Sequence, residues 1–355
     1  MDGSGSLREA GVRLGTLSPG PLNAISDVGG IAVGHATVIR DEPDPPHGRG
    51  VARTGVSVVL PAPHASVHDA PFPAAVAVLN GAGELTGSLQ VAEWGVLETP
   101  VYLTATMSVG RVYDGAVAVA CATDESIGRD RVVIPVVGEC DDSHLNDART
   151  VQIDTEDAGH AVASAGALFE QGCVGAGTGM VALGWKGGIG SASRQVDSGT
   201  VGVLVLANFG TAEQLRIDGV PMFGAVGSGV EPEPPPAGSC IALVATDLPL
   251  TTHQLGRVAR RCGLGLARTG SIAHHGSGEI FLAFSTWRSA AGRFPDDDLN
   301  GIFAATVEAT EEAVLNALWT AQDALGRSGR VVRALPHEPV LDVLDRNGRL
   351  GTARK

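Results

Sequence analysis

Residues 238–261 of the chain read GSCIALVATDLPLTTHQLGRVARR. Residues 239–250 are strongly apolar, which predicts a buried strand. The residues after this run follow the i, i+3, i+4, i+7 spacing that places side chains on one face of a helix. The residues on that face are Leu255, Val258, Ala259 and Cys262. We therefore expect a buried strand that leads into an amphipathic helix.

A proline-rich segment, GSGVEPEPPPAG at 227–238, comes directly before this strand. Proline has no backbone N–H for a sheet ladder and interrupts a helix, so the segment is predicted to be a linker or an exposed loop. It divides the chain into two pieces, 1–238 and 239–355.

Strand-like and helical patterns alternate irregularly on both sides of this segment. The predicted strands include 51–60, 131–138, 200–207 and 280–286. A long helix is predicted at 302–325, with four apolar side chains turned toward a core. These are Val307, Val314, Leu318 and Leu325. The patterns favour a mixed α/β chain in one compact unit.

Composition and charge exclude several classes of protein. The chain has 355 residues, of which 44% are hydrophobic, and a formal net charge of −14. An acidic chain without a Lys/Arg cluster is not expected to bind nucleic acid. No apolar run is long enough to span a bilayer, and the first residues lack the apolar core of a signal peptide. We therefore expect a cytoplasmic protein with no membrane partner.

The residues that usually mark cofactor and metal sites do not form a known motif. The glycine-rich segment at 175–194 contains Lys186 but neither GxxxxGK[ST] nor a complete dinucleotide fingerprint, so it predicts tight turns beside an active cleft. HExxH and GxSxG are absent, and His274 and His275 are interpreted as loop residues. The five cysteines include no CxxC pair. We expect no cofactor and no metal.

The Gly238-Ser239 junction can be interpreted in two ways. From its position alone, Ser239 is an ordinary residue at the start of a strand. Alternatively, its hydroxyl attacks the Gly238 carbonyl, and the cut leaves a serine with a nucleophilic hydroxyl and a free α-amine. Such an amine, with a usual pKa of about 7.7–8.0, can act as a general base at neutral pH. A glycine before the cut tolerates the strained backbone that this attack requires.

Four long segments carry a family resemblance: GAGTGMVALGWKGGIGSASR, VGVLVLANFG, GSCIALVATDLPLTTHQLGRVARR and GLARTGSIAHHGSGEIFLAFST. Together they resemble the self-processing family of L-aminopeptidase/D-amidase-esterases and β-peptidyl aminopeptidases, over most of the chain. The resemblance implies a single four-layer αββα sandwich, similar to N-terminal-nucleophile hydrolases but with different strand connectivity. It also implies a cut between Gly238 and Ser239, after which chains 1–238 and 239–355 stay together.

The same resemblance implies roles for individual residues. It makes Ser239 the nucleophile, and it makes Ser277 and Glu279 the polar pair that orients the new α-amine and tunes its pKa. Asn208 matches the position whose side-chain amide faces the oxyanion of the tetrahedral intermediate.

The segment VVGECDD at 136–142 contains one match and one departure. Glu139 is interpreted either as a surface-loop glutamate or as a buried carboxylate that binds the free amino group of the substrate. Family members with a tyrosine after this segment use its hydroxyl near the oxyanion, but here Cys140, Asp141 and Asp142 follow. Another donor replaces that tyrosine, or the specificity is altered.

The predicted function is that of a self-activated serine aminopeptidase or amidase. It removes an N-terminal α- or β-amino acid from short peptides, amides or esters through an acyl-enzyme on Ser239, and it is expected to form a homo-oligomer of processed pairs. Two alternatives stay open. One is acyl transfer of the ornithine acetyltransferase type, which uses a threonine nucleophile. The other is a ligand-binding relative that is never processed.

Overall fold

The computed structural model describes residues 5–62, 67–196, 199–231, 237–288 and 294–350. Part of the proline-rich segment therefore lies outside the described residues. The strands, in chain order, are β1 (Ala32–Asp41), β2 (Val51–Leu60), β3 (Phe72–Gly81), β4 (Val96–Leu97), β5 (Val101–Ala105), β6 (Val136–Cys140), β7 (Val181–Ala182), β8 (Trp185–Lys186), β9 (Gly188–Val196), β10 (Gly199–Asn208), β11 (Arg216–Ile217), β12 (Val220–Pro221), β13 (Ala237–Thr246), β14 (Gly276–Ser285), β15 (Ala324–Leu325) and β16 (Val331–Val332). The helices are α1 (Ser88–Trp94), α2 (Val109–Thr123), α3 (Glu156–Ala163), α4 (Phe223–Val226), α5 (Thr252–Ala259), α6 (Cys262–Arg268), α7 (Leu299–Trp319) and α8 (His337–Arg346).

Two large sheets form the centre of the molecule. One has the order β1-β2-β5-β6, and the other has the order β4-β3-β14-β13-β10-β9. Strand β13 pairs in parallel with β14 and antiparallel with β10. The chain between β13 and β14 contains α5 and α6, since a parallel connection needs a crossover.

Three apolar layers hold these sheets and the helices together. One lies between the two sheets and includes Leu204, Ile241 and Leu282. A second lies between the six-stranded sheet and helices α5, α6 and α7. The third packs α2 and α3 against the four-stranded sheet. This is the four-layer αββα arrangement that the family resemblance implies.

The strand-to-helix unit predicted at 239–262 is confirmed in outline. Its four predicted face residues are all buried in the layer beneath the helices. The unit contains two helices, however, because the chain bends between α5 and α6. Gly265 explains the close packing of α6 on α7, since a Cβ there would lie 2.5 Å from Cβ of Thr310.

Two predicted boundaries are wrong. The helix predicted to run to Leu325 ends at Trp319, and Leu325 is an exposed residue of β15. After Trp319 the backbone bonds to other parts of the chain: the N–H of Gln322 donates to Cys173 Sγ at 3.3 Å, and the Asp323 carboxylate accepts the N–H of Ala334 at 2.8 Å. The strand predicted at 131–138 begins only at Val136, since the Arg131 side chain is held in a turn by Asp124 at 2.7 Å. No helix among the described ranges is both long and apolar enough to cross a bilayer.

Candidate active site

Ser239 lies near the start of β13, in the middle of the six-stranded sheet. Its side chain is 5% exposed, and its hydroxyl accepts the backbone N–H of Gly278 at 3.2 Å. Side chains alternate along a strand, so Ser239 shares the inter-sheet face with Ile241. The hydroxyl is therefore held by the neighbouring parallel strand and directed toward the space between the two sheets.

Gly238, the preceding residue, has a backbone that only glycine adopts readily. Its φ is +135°, and a Cβ at this position would lie 2.0 Å from the carbonyl oxygen of Asn208. Both the dihedral angle and the close approach exclude a larger residue. The peptide bond before Ser239 is thus fixed against the end of β10.

Asn208 is the last residue of β10 and lies directly opposite Ser239 in the antiparallel register. Its Oδ1 accepts the N–H of Val181 at 2.8 Å, and its Nδ2 donates to the carbonyl of Asp141 at 2.9 Å. An amide nitrogen carries two protons, and one of them is used in the bond to Asp141. The second proton is not used in the bond to Asp141.

Ser277 and Glu279 lie on β14, beside the residues that flank Ser239. Gly238 pairs with Ser277 and Cys240 pairs with Glu279. Alternation puts both side chains on the same face as Phe281, toward the helices. The two side chains thus lie behind the strand that carries Ser239, on the opposite sheet face from its hydroxyl.

The Ser277 hydroxyl contacts two acceptors, the His274 carbonyl at 2.8 Å and Glu279 Oε1 at 2.6 Å. The hydroxyl has one proton and donates it to only one of these acceptors at a time, and its bond to Glu279 lowers the pKa of that carboxyl. Glu279 is 0% exposed, and burial raises the pKa of its carboxyl. Its Oε2 has no partner among the described residues.

Glu139, on β6, is a buried carboxylate and not a surface-loop residue. Its Oε1 accepts the N–H of Glu84 at 2.9 Å, and its Oε2 accepts the hydroxyl of Thr106. Burial raises the pKa of Glu139, while these two hydrogen bonds lower it. A Cβ on Gly83 would lie 3.1 Å from Glu139 Oε1 and 3.7 Å from Ser239 Oγ, so the carboxylate and the hydroxyl border the same small space.

That space is part of an open cleft of about 690 Å³. The cleft contains Gly238, Ser239 and Glu139, whereas Asn208, Ser277 and Glu279 are not among the residues that line it. Sequence reasoning missed several of its lining side chains: Glu84, Thr106, Met107, Asp141, Arg149 and Arg327. Asp141 lies in the VVGECDD segment but was considered there only in place of the family tyrosine, and the sequence does not reveal that the other five side chains come together.

The glycine-rich segment at 175–194 contacts the side chain of Asn208 through the N–H of Val181. Lys186 is fully buried, and its ammonium donates to three backbone carbonyls, those of Gly177, Met180 and Gly187, at 2.7 to 3.0 Å. These bonds occupy all three of its protons and fix the segment that presents the N–H of Val181 to Asn208. Lys186 is thus a structural residue of a tightly turned scaffold.

Neither tyrosine of the chain replaces the one that the family places near the oxyanion. Tyr102 and Tyr113 both pack between the four-stranded sheet and its helices. The position after Cys140 is Asp141, whose carboxylate accepts from Ser143 and whose carbonyl accepts from Asn208. Within the described ranges, no three His, Cys, Asp or Glu side chains come together as a metal site would require.

Comparisons with known proteins give matches over most of the chain. The model of peptidase family S58 matches residues 23–332. The β-peptidyl aminopeptidase BapA of Sphingosinicella microcystinivorans is 38% identical, over 95% of this chain and 91% of that protein. A solved β-aminopeptidase from a Burkholderia species is 37% identical with a TM-score of 0.87, over 97% of this chain and 99% of its own.

A third relative has a solved structure whose description names its fold. The L-aminopeptidase D-Ala-esterase/amidase of Ochrobactrum anthropi is 35% identical with a TM-score of 0.90, over 98% of this chain and 99% of its own. It is described as a prototype of the serine aminopeptidases and a new variant of the N-terminal-nucleophile hydrolase fold. This likeness confirms the predicted layered sandwich and its relation to that fold.

Proposed function

The chain belongs to peptidase family S58 and is a hydrolase of the aminopeptidase class, and from this premise we propose that it activates itself by cutting the bond between Gly238 and Ser239. The observation that carries the proposal is the geometry of that bond. A glycine with φ +135° precedes a buried serine, and the serine hydroxyl faces a cleft beside a fixed amide side chain.

In the maturation step, the side chain of Ser239 attacks the carbonyl group of the residue before it. The Ser239 Oγ forms a bond to the Gly238 carbonyl carbon, the bond from that carbon to the Ser239 nitrogen breaks, and the hydroxyl proton passes to the nitrogen. Water then hydrolyses the resulting ester. The products are a carboxylate on Gly238 and a free α-amine and hydroxyl on Ser239.

The mature enzyme uses the same two groups on its substrate. The neutral α-amine takes the proton of the Ser239 hydroxyl, and the hydroxyl attacks the substrate carbonyl. The second Nδ2 proton of Asn208 stabilises the oxyanion. The leaving amine or alcohol departs, and water releases the N-terminal amino acid from the acyl-enzyme.

Ser277 and Glu279 control the α-amine, and Glu139 binds the ammonium group of the substrate. The register beside Gly238 and Cys240 supports the first role, because β14 runs alongside the bond to be cut. The shared space between Glu139 and Ser239 supports the second, since an N-terminal ammonium lies close to the carbonyl that is attacked.

The substrates are short peptides, amides or esters with a free N-terminal α- or β-amino acid. The names of the β-peptidyl aminopeptidase and the L-aminopeptidase D-Ala-esterase/amidase support this range. The two processed chains stay together, and a homo-oligomer in the cytoplasm remains our prediction from the sequence. Acyl transfer of the ornithine acetyltransferase type is not favoured, because the nucleophile is Ser239 and not threonine.

The test combines a denaturing gel with an assay. The wild-type protein should give two bands, the smaller with the N-terminal sequence Ser-Cys-Ile-Ala, and should hydrolyse at least one member of a panel of α- and β-aminoacyl p-nitroanilides. Ser239→Ala should give one uncut, inactive chain, whereas Ser143→Ala, a serine of the same cleft outside β13, should be cut. A smaller chain that begins elsewhere would refute the assignment of Ser239.

A further inference from the structure

Arg327 lies in the wall of the cleft that contains Ser239, and no carboxylate of the described residues is hydrogen-bonded to its guanidinium. It lies in the turn between β15 and β16 and is half-buried. Its Nε is buried without a hydrogen-bond partner. Across the described part of the chain, its guanidinium forms no ion pair within 4.0 Å. A guanidinium in this state has unused capacity to bind an anion.

Arg149, the other arginine of the cleft, is already paired. Its Nε and one terminal nitrogen contact both oxygens of the Asp147 carboxylate at 2.9 and 2.5 Å. The same guanidinium also lies 2.9 Å from the Asp44 carboxylate. The two arginines thus differ: Arg149 contacts two carboxylates directly, whereas Arg327 lowers the pKa of Asp147 by its charge but forms no ion pair within 4.0 Å among the described residues.

The position of Arg327 is fixed by the backbone around it. Its N–H donates to the carbonyl of Leu145 at 2.8 Å. Arg330, on the same turn, donates to the carbonyl of His144 at 3.2 Å. Both acceptors follow β6, the strand that carries Glu139, so the turn is held against the segment that forms one wall of the cleft.

The carboxylate of Glu139 and the guanidinium of Arg327 therefore place a negative and a positive charge at two separate positions of the cleft. Glu139 borders the space beside Ser239, while Arg327 comes from a turn packed against residues 144–145. A short peptide with both ends free carries an ammonium at one end and a carboxylate at the other. Its two charges match this arrangement.

We propose that Arg327 binds the C-terminal carboxylate of a short peptide substrate and makes the enzyme selective for dipeptides and similarly short peptides with a free carboxyl end. This inference rests on the proposed function. A carboxylate is suited to the site because it can accept two parallel hydrogen bonds from a guanidinium, including one from Nε. The bond would also satisfy a buried donor that is otherwise unpaired.

The experiment compares two substrates that differ only at the carboxyl end. The N-terminal residue is the one that the p-nitroanilide panel shows to be accepted. The dipeptide of this residue with alanine is assayed as the free acid and as the C-terminal amide, and kcat and KM are measured for each. Arg327→Gln removes the charge, Arg327→Lys retains it, and Arg333→Gln removes an exposed arginine that pairs with Asp323 outside the cleft.

The wild-type enzyme should prefer the acid over the amide by about 10- to 100-fold in kcat/KM, mainly through KM. Arg327→Gln should lose this preference, Arg327→Lys should keep part of it, and Arg333→Gln should match the wild type. A wild-type enzyme without the preference, or a folded and processed Arg327→Gln enzyme that retains it, would overturn the inference. Hydrolysis of the p-nitroanilide, which has no carboxylate, tests the proposed function separately.

Discussion

The Ser277 hydroxyl lies 2.6 Å from one oxygen of the Glu279 carboxyl, and the other oxygen has no partner among the described residues. Burial raises the pKa of this carboxyl in the uncut chain. A cut before Ser239 creates an ammonium group next to β14 and so supplies a counter-ion. Maturation is thus expected to lower the pKa of Glu279 and to raise that of the new α-amine.

The first prediction concerns the pH dependence of this pair. Because the α-amine is active when neutral, kcat/KM should rise with pH through an apparent pKa that belongs to the amine and Glu279 together. Glu279→Gln removes the partner of the ammonium, so this acidic limb should move to lower pH. Turnover should also fall by orders of magnitude, because the amine is no longer held in place.

The control for this profile is Glu311→Gln. Glu311 is also buried with a raised pKa, but it lies on α7 and pairs with Arg268 outside the cleft. The acidic limb of kcat/KM against pH should lie at the same pH in Glu311→Gln as in the wild type. An unchanged limb in processed Glu279→Gln enzyme would mean that another group is the base, and the proposed role of the α-amine would have to be withdrawn.

The second prediction separates the two glutamates of the cleft. Glu139→Gln should lower kcat/KM for substrates with a free amino group by about 10- to 100-fold, because a charge-assisted hydrogen bond is lost. Glu84→Gln, which changes an exposed carboxylate of the same cleft, should have a much smaller effect. Steady-state kinetics on one p-nitroanilide measure both. A larger loss in Glu84→Gln would transfer the role to Glu84.

The third prediction concerns the backbone before the cut. Gly238→Ala places a Cβ 2.0 Å from the Asn208 carbonyl oxygen at a φ of +135°, so Ser239 should be displaced and processing should slow or stop. Gly301→Ala is the matched control, since a Cβ there meets nothing within 4 Å. Densitometry of denaturing gels over time measures the uncut fraction. Processing at the wild-type rate in Gly238→Ala would show that this geometry is not required.

The fourth prediction concerns the oxyanion. Asn208→Asp keeps the size of the side chain and an acceptor for the Val181 N–H, but it removes the Nδ2 donor. In the processed enzyme, kcat should fall by about 100- to 1000-fold while KM changes less, because the lost bond forms in the transition state. Single-turnover assays of the processed fraction measure this. A kcat close to the wild-type value would exclude Asn208 from oxyanion binding.

The fifth prediction concerns stability. Burial raises the pKa of Asp142 from 3.8 to about 7. The folded state therefore binds this proton more tightly than the unfolded state, so the free energy of unfolding falls as the pH rises between these two values. Asp142→Asn mimics the neutral form and should be more stable than the wild type above about pH 8, by at most about 4 kcal/mol.

Thermal melting at several pH values measures this difference. The gain should disappear below about pH 4, where Asp142 is protonated in both states. Asp114→Asn, at an exposed position on α2, is the control and should show no gain that depends on pH. A constant difference between Asp142→Asn and the wild type at all pH values would contradict the prediction.

The apolar runs predicted the strand that carries Ser239 and a mixed α/β chain, whereas the four layers were implied by the family resemblance of the long motifs. Residues 51–60 form β2 as predicted, and 200–207 lie within β10. Apolar spacing alone did not predict where α7 ends, because Leu325 continues the helical pattern after the backbone has already turned at Asp323.

The sequence pointed to candidate site residues only where a residue type indicates its own chemistry, as a serine after a glycine does at Ser239. Nothing in the local sequence of Glu139 distinguishes a surface loop from the buried position that it occupies. Arg327 was missed for the same reason, since its place in the cleft depends on contacts between residues 326–330 and 144–145, which are far apart in sequence. The His274 carbonyl acts through its backbone, and a backbone acceptor carries no residue signature.

The strand order of the six-stranded sheet affects how the two pieces of the proposed mature protein could separate and refold. Strand β13, which contains Ser239, and strand β14 lie between β10 on one side and β3 on the other, and β10 and β3 come from the piece before Ser239. In the proposed two-chain form, the pieces cannot part without opening the middle of that sheet. Refolding then becomes bimolecular, whereas the precursor refolds as a single molecule. At low concentration, an unfolded two-chain enzyme would thus reassemble more slowly than the precursor refolds.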